Sequence, residues 1–571
     1  MSDTAQGEGV PPEPQAPLAV EVISEDSREQ ALAQASRAIL AHPMLRQHFP
    51  ASDLWMVGFD VDDKVSDDAW FLTTVHDTVT GRSVRVNGPL DDPSDLALVP
   101  SAQQWPPTED EFAWAVSVLE ENDRHRALLV GDDVTTYRPV PPLANLELPD
   151  GTVERVIAVG IRTGGPEPHH RVVGVRTSDG EVLTDVVGVP AGASADCGMP
   201  PGDRCPPATG ASQARVRVRR GDELLWDLVV VRPQASSGIN GSGVELRNVD
   251  YKSQRVLYRA HLPIVNLRYG PEGAEARCGP AFRAWQHEES CFRAAGDDPV
   301  PGFRLCPSPA ETALDSGADD GDFRGVALWL DGDELVIVSQ LGAGWHRYVS
   351  EWRLHAEGTI RPRFGATAVR NPCTCLPHDH HAYWRFDFDV LGAEGNVVQE
   401  FNDPPVLGTA NWHTVHYEVR RNRDPAHGRL WRVRNVRASQ GYAIVPGEGD
   451  GVADDYGAGD VWVLRHHTDE ADDDQGFTTE PLLSRAQLDR YVTAESVERQ
   501  DIVIWYGAHL FHHQAAGGDG PVRRVGPDLV PYQWKDAPAE KTPFTPLQPP
   551  GEDEVAPPSA PPQQENPSAS P

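Results

Sequence analysis

From about residue 214 to 540 the chain is a near-continuous series of strand-like runs, and this constrains its fold more than any other feature. ARVRVRR, LLWDLVVV, VELRNVDY, RVLYRAHLPIV, GVALWL, ELVIVSQL and RLWRVRNV are alternating or wholly apolar over strand lengths. Antiparallel pairing into two large sheets packed face to face buries such strands most economically. Near the middle lies NPCTCLPHDHHAYWRFDFD, residues 371–389. On a strand, Tyr383, Arg385, Asp387 and Asp389 share one face, and Trp384, Phe386, Phe388 and Val390 share the other. His378 and His380 then point the same way, about 7 Å apart at Cα, close enough to hold one transition metal. A third ligand must come from a distant strand. The run DIVIWYGAHLFHHQ at 501–514 ends in His509, His512 and His513.

The upstream half reads differently. Residues 1–18 are rich in Pro, Glu and Gly and read as a disordered tail. Ser27 is positioned to cap a helix with an apolar face at Ala31, Leu32, Ala35, Ile39 and Leu40, stopped at Pro43. Strands are predicted over 55–61, 69–77 and 82–86. Thr108 and Glu111 form a capping-box signature before a second helix. Strands at 127–130, 134–137, 155–162, 170–176 and 181–187 complete a second unit. The pattern predicts two small α+β domains, 19–100 and 103–190, a Gly/Pro/Ala/Ser-rich linker over 191–213, the sandwich over 214–538 and a Pro-rich disordered tail over 539–571.

Charge and cysteines set outer bounds. The formal charge of −36 disfavours nucleic acid and anionic membrane as partners, although a generally acidic surface explains it equally well. The first residues lack a basic region and an apolar core, and no window approaches 18 apolar residues, so neither a signal peptide nor a membrane helix is expected. Seven cysteines, an odd number, without an export signal predict reduced thiols and a cytoplasmic protein. Cys373 and Cys375 read as core or loop thiols, with approach to the metal or mutual pairing as alternatives.

Residues about 225–535 resemble the catalytic domain of copper-containing amine oxidases. The segments that carry the resemblance are GVELRNVDYKSQRVLYRAHLPIVNLRYG, EWRLHAEGTIRP, HDHHAYWRFDFDV, WRVRN, GYAIVPGE, DVWVLRHH and RYVTAESVERQDIVIWYGAHLFHH, in family order and spacing. The two upstream units resemble the small domains that precede it there. The resemblance implies an amine-oxidase-like supersandwich, a homodimer and a Cu(II) held by His378, His380 and His513, with His512 the competing register. Three imidazoles suit copper, and zinc would accept the same set. Asp387 either orients a ligand imidazole or pairs with Arg385.

Two positions depart from the family pattern. Its topaquinone cofactor derives from a tyrosine twelve residues before G-T-I, where this chain has His346, flanked by Trp345, Arg347 and Tyr348. An imidazole has no phenol ring to oxidise, so topaquinone is not expected. The family's aspartate base stands fourteen residues after a tyrosine. Tyr269 keeps that tyrosine, but the fourteenth residue is Arg283, which cannot accept a proton near neutrality; a shifted register would offer Glu288 or Glu289. His346 is then a fourth ligand, a base beside the metal, or a filler of the quinone's space. Arg283, Arg347 and Arg385 would make the pocket basic and favour an anionic small-molecule substrate. The resemblance thus implies a quinone-less, metal-dependent oxidoreductase acting on a non-amine metabolite. The alternatives are an inactive homologue serving as a binding or structural dimer, and a true primary amine oxidase whose quinone tyrosine is Tyr348.

Overall fold

The computed structural model describes residues 16–50, 54–64, 69–77, 82–90, 95–101, 107–130, 134–140, 142–147, 153–163, 170–184, 197–200, 202, 208–269, 281–473, 475, 484–512 and 524–535. Two large sheets pack face to face, as the strand series demands. One has ten strands. In spatial order these include Leu18–Ser24, Gln213–Arg220, Glu223–Val231, Glu245–Tyr251, Gln254–Tyr269, His378–Phe388, Ile502–His512 and Val461–Arg465. The other has twelve, among them Glu334–Ala343, His346–His355 and Ile360–Ala368 side by side. Pairing is antiparallel almost throughout, with Phe303–Leu305 and Val326–Asp331 a parallel exception. One core of buried Val, Leu, Ile and aromatic residues joins both sheets, including Trp226, Trp352, Trp384 and Trp431. A large antiparallel β-sandwich preceded by small α+β units is therefore the observed architecture.

Alternation decides which side chains enter that core. On the His378–Phe388 strand the even residues Trp384, Phe386 and Phe388 lie in the inter-sheet core, while odd Tyr383 packs in a separate outer cluster with Trp462 and Trp505. The neighbouring strand obeys the same rule: Ile504, Tyr506, Ala508 and Leu510 face inward, Val503 and Trp505 outward.

The small units hold a four-stranded sheet over Leu54–Ser101 and a five-stranded sheet over Val134–Leu183, each with its own apolar cluster. The capping box is formed: the Thr108 side chain accepts from Glu111 N–H and Glu111 accepts from Thr108 N–H, both at 3.0 Å, opening the helix Glu109–Glu121. Some local expectations fail. The first helix, Asp26–Leu40, starts after Glu25, and Pro43 opens a second short helix rather than only ending the first. The predicted strand at 127–130 is a 3-10 turn over Arg126–Leu128. Leu18–Ser24 pairs with Gln213–Arg220 at the sandwich edge, so the chain enters the large sheet before it builds the first small unit. The Pro-rich tail and the proposed linker, except 197–200, 202 and 208–213, lie outside the described residues.

The expectation of reduced thiols is overturned. Cys197 and Cys375 form a disulfide, and Cys291 and Cys373 are disulfide-bonded too. Cys375 thus reaches across 178 residues instead of joining its near neighbour Cys373. Among the described residues Cys306 is the free thiol. Disulfides persist in oxidising compartments, which removes the argument for a cytoplasmic protein. Among the described residues no helix is long and apolar enough to cross a membrane.

Candidate metal centre

Two strands from opposite sheets bring imidazoles together in the core. The hairpin Glu334–Ala343/His346–His355 turns at Gly344 and Trp345, with Gly344 at φ +61° and Ala343 opposite His346. A Cβ at Gly344 would meet the Val140 side chain at 2.0 Å, so glycine serves both the turn and the packing. His346 therefore begins the return strand, and His346 and Tyr348 point into the core. His378 and His380 meet them from the facing sheet. The ring centroids of His346 lie 5.3 Å from those of both His378 and His380, which are 5.0 Å apart. One nitrogen from each of the three lies within 4.8 Å of the others.

A fourth imidazole comes from the adjacent strand. His512 stands directly opposite His378 in the ladder, with its Nδ1 3.0 Å from His378 Nε2. Its ring is 4.7 Å from that of His378 and 5.8 Å from that of His380. His512 is even-numbered, like Ala508 and Leu510, and so shares the inward face. His513 lies outside the described residues.

The polar bookkeeping of this cluster is unusual. His346, His378 and His380 are fully buried. Neither nitrogen of His380 has a hydrogen-bond partner, nor does Nδ1 of His346. Leaving a buried polar atom unpaired costs about 1–3 kcal/mol, so a set of convergent orphans calls for a ligand. Burial, then the neighbouring His378, pushes His346 and His380 well below the usual imidazole range. They are neutral near pH 7, the form in which imidazole binds metal. His378 donates from Nδ1 to the Leu376 carbonyl at 2.7 Å, leaving Nε2 to face the cluster. The residues present therefore fit a metal ion with nitrogen ligands.

Two tyrosines complete the wall. Trp345 Nε1–H donates to the Tyr269 hydroxyl oxygen at 3.0 Å, and that hydroxyl lies 3.4 Å from His346 Nε2. Tyr348 stacks on His346 at 5.7 Å and 6°, and its ring is 5.5 Å from that of His380. Its buried hydroxyl has no partner. Burial pushes both phenols up, so they remain protonated.

Other expected participants lie elsewhere. Arg283 is buried in a pair with Asp473 and donates to the carbonyls of Gln475 and Ser484; its neighbour Phe282, not Arg283, faces His346. Arg347 pairs with Asp319, and Arg385 with Asp387. Each guanidinium points off the inward face and is neutralised by a carboxylate, so the histidine cluster is not the basic pocket expected of it. Asp387 also faces away, and orients no inward imidazole. Glu288 accepts from Arg138 and Trp285, and Glu289 pairs with Arg232. Glu288, Glu289 and Arg347 line a separate cavity of about 480 Å³ beside Phe112 and Tyr137 of the second small unit.

Sequence reasoning found the outward face of the same strands and its Arg385–Asp387 pair, but overlooked the partners that meet it. There His381 Nδ1 is 2.7 Å from His509 Nδ1, and His509 Nε2 lies 3.0 Å from Asp460. Further along, His466 bridges Asp387 and Asp62, and Lys64 reaches in from the first small unit. Odd-even alternation identified the face, but nothing local to Lys64 or His466 marked them as its partners.

A β-sandwich with buried imidazoles contributed by both sheets defines a class of candidate metalloproteins, and comparison with known proteins narrows it. Residues 329–537 match the family model of the copper amine oxidase enzyme domain, a stretch that contains every histidine of the cluster. No curated protein matches the sequence. Among solved structures, the copper-containing benzylamine oxidase from Hansenula polymorpha superposes with a TM-score of 0.59 at 13% identity, covering 90% of this chain and 98% of that one. The lysyl oxidase from Pichia pastoris gives 0.53 at 12%, covering 90% and 89%. An amine oxidase from Aspergillus nidulans gives 0.50 at 13%, covering 92% and 89%. The fold is thus that of copper amine oxidases, and residues 329–537 match the model of their enzyme domain in sequence.

Proposed function

We propose that this chain is a copper-amine-oxidase-like metalloprotein in which His346, His378, His380 and His512 surround the metal, without topaquinone. The observation that carries this reading is that His346 and His380, buried and neutral with unpartnered nitrogens, converge from opposite sheets beside His378 and His512. His512 takes the place expected of His513, because ladder register and alternation put it on the inward face opposite His378. Copper suits an all-imidazole set, and zinc would accept it. A bound copper ion would supply one-electron chemistry and polarise a substrate oxygen.

The chain's own residues limit what else happens there. His346 stands where a quinone would otherwise be formed, and its Nδ1 is an unpaired acceptor inside the cluster. The Tyr269 hydroxyl oxygen, which accepts from Trp345, can also accept from His346 Nε2–H, which keeps the imidazole proton on Nε2 and leaves Nδ1 as the acceptor. Among the described residues no arginine faces the cluster, so an anionic substrate is not favoured by the inward face itself; Arg138, Arg324 and Arg347 line the 480 Å³ cavity instead. The activity we infer is oxidation of a small non-amine molecule.

A second reading has a specific observation in its favour. Tyr348 is buried against His380 with a free hydroxyl, the placement a displaced quinone precursor would need. One experiment separates the two. The purified chain is loaded with Cu(II) under oxygen, its metal content and copper EPR spectrum are recorded, and the protein is stained for quinone. One copper per chain with nitrogen hyperfine structure and no quinone is the expected result. A quinone-positive band mapped to Tyr348 would establish the second reading, and a chain that takes up no metal would remove both.

A further inference from the structure

The turn that leads into the His378–Phe388 strand is fastened to a distant part of the chain. Pro372–Cys375 form a single 3-10 turn, and His378 begins the strand shortly after it. The Asn371 side chain opens the turn by accepting from Cys373 N–H at 2.9 Å. Leu376 N–H closes it on the Cys373 carbonyl at 3.1 Å. Leu376 is extended, as suits a residue whose successor is Pro377. The turn therefore sets the direction of the Leu376 carbonyl, and this carbonyl accepts from His378 Nδ1 at 2.7 Å.

A short strap, Cys197–Gly198–Met199, holds the turn in place. Cys197 is disulfide-bonded to Cys375. Its carbonyl accepts from Asn371 N–H at 3.2 Å and from the Thr374 hydroxyl. Met199 N–H donates to the Ala368 carbonyl at 3.1 Å, and Arg370 N–H donates to the Met199 carbonyl at 2.7 Å. Gly198, at φ +107°, allows this approach, since a Cβ there would meet the Ala368 carbonyl oxygen at 2.7 Å. Ala368 is the ladder partner of His346, and Val369 N–H donates to the Trp345 carbonyl at 2.8 Å. The strap thus reaches the supports of imidazoles on both sheets: through hydrogen bonds beside His346, and through a covalent bond just before His378.

A neutral imidazole offers a lone pair at Nε2 only while its proton stays on Nδ1. We propose that the Cys197–Cys375 disulfide is a positioning element of the candidate metal centre, on the reading that the cluster holds a metal. It fixes the Leu376 carbonyl, and through it the Nδ1–H tautomer of His378, so that the oxidised chain binds metal more tightly than the reduced one. Metal uptake then follows disulfide closure, and a thiol reductant such as glutathione loosens the metal. In that step two glutathione thiols are oxidised to one disulfide, the Sγ–Sγ bond breaks, and Cys197 and Cys375 each take up a proton as thiols. Cys375 is only part-buried, which leaves the bridge open to attack, whereas Cys373 is 1% exposed. The coupling is reciprocal: whatever factor the disulfide adds to metal affinity, bound metal adds to the disulfide's resistance to reduction.

The test uses the full chain carrying Cys306→Ser, which removes the free thiol, and Zn²⁺ as a metal probe without redox chemistry. Adding Cys197→Ser and Cys375→Ser is expected to weaken Zn²⁺ by about ten- to a hundredfold. In the metal-free chain, ¹⁵N NMR of the histidine rings, with His378 assigned by His378→Gln, is expected to show the Nδ1–H tautomer when the disulfide is present and a mixture when it is absent. Zn²⁺ binding within about twofold of the parent overturns the proposal. So does weaker binding with an unchanged tautomer, which would make the disulfide a general structural brace. Where the serine variant does not fold, a glutathione redox titration of the parent replaces it, with thiols at Cys375 mapped by alkylation. Zn²⁺ should then shift the midpoint of this disulfide by about 30–60 mV to more negative potential, tenfold being about 30 mV, and an unmoved midpoint overturns the proposal. A parent chain that binds no Zn²⁺ removes the metal reading itself, and the tautomer comparison alone then decides the part played by the disulfide.

Discussion

The two faces of one eleven-residue strand, His378–Phe388, solve opposite problems. Its inward end holds His380, an imidazole that is buried, neutral and without a hydrogen-bond partner. Its outward end holds charges that are equally buried but matched. Burial opposes the ionisation of Asp387, yet Lys64, His466 and Arg385 outweigh it and hold that carboxyl well below its usual range. Burial, with the charges of Asp387 and Asp501, pushes neighbouring Asp389 up to about 7 despite Lys64. The difference teaches where to look for chemistry. A buried polar group already satisfied by the protein contributes to architecture; one left unsatisfied is waiting for something the protein does not itself supply.

A crossed pair of substitutions tests this contrast most severely. His380→Phe replaces an unpartnered imidazole by an apolar ring of similar size. Metal affinity should fall at least ~100-fold, more than the loss of an outer partner causes. Stability of the metal-free chain should stay level or rise, because an orphaned polar group is removed. Asp387→Asn should do the reverse. It leaves Lys64, Arg385 and His466 without their common anion, a loss of roughly 3–5 kcal/mol, while metal affinity is unchanged. Metal titration and denaturant unfolding of both variants give the four numbers. If Asp387→Asn also abolishes metal binding, the two faces are not independent.

Much of this was legible in the sequence, for identifiable reasons. The sandwich followed from period-two patterning, and the inward pair His378 and His380 followed from the same period. Thr108 and Glu111 announced their helix because a capping box is local. What failed was non-local. Arg283 was placed at the site by counting along the chain, but alternation on Ala281–Ala284 turns it outward to Asp473 and gives the inward place to Phe282. The cysteines read as reduced because parity was counted over all seven, whereas pairing depends on segments distant in sequence, such as those of Cys197 and Cys375, meeting across 178 residues. Lys64 was invisible because its partners lie more than 300 residues away.

The outward network also has a pH signature that the inward cluster lacks. Burial disfavours a charged His466, but Asp387 and Asp62 outweigh it and raise its pKa to about 9. An imidazole ionises near 6.5 in the unfolded chain. A raised cationic group stabilises the fold fully below about 6.5, and that contribution is lost as pH rises through about 9. Asp389, held up to about 7, adds a fall of the same sign at lower pH, between about 4 and 7. Unfolding free energy measured from pH 6 to 10 should therefore decline, and His466→Gln should flatten the decline above about pH 7 while leaving the lower window in place. An unchanged slope in His466→Gln would mean that the imidazole is not charged in the fold.

The smallest effect belongs to Tyr348, and its sign is what matters. Its hydroxyl is buried against His346 and His380 with no partner. Tyr348→Phe deletes only that oxygen and keeps the stacked ring. An unpaired buried hydroxyl costs about 1–3 kcal/mol, so the metal-free variant should be slightly more stable than the parent, by about 1 kcal/mol. A loss of stability instead would reveal a partner for the hydroxyl, in which case the inward face is less unsatisfied than its geometry implies. The same variant, loaded with copper under oxygen, should be spectroscopically identical to the parent. A visible absorption present in the parent and absent from Tyr348→Phe would place oxidative chemistry on this ring rather than on the small-molecule substrate.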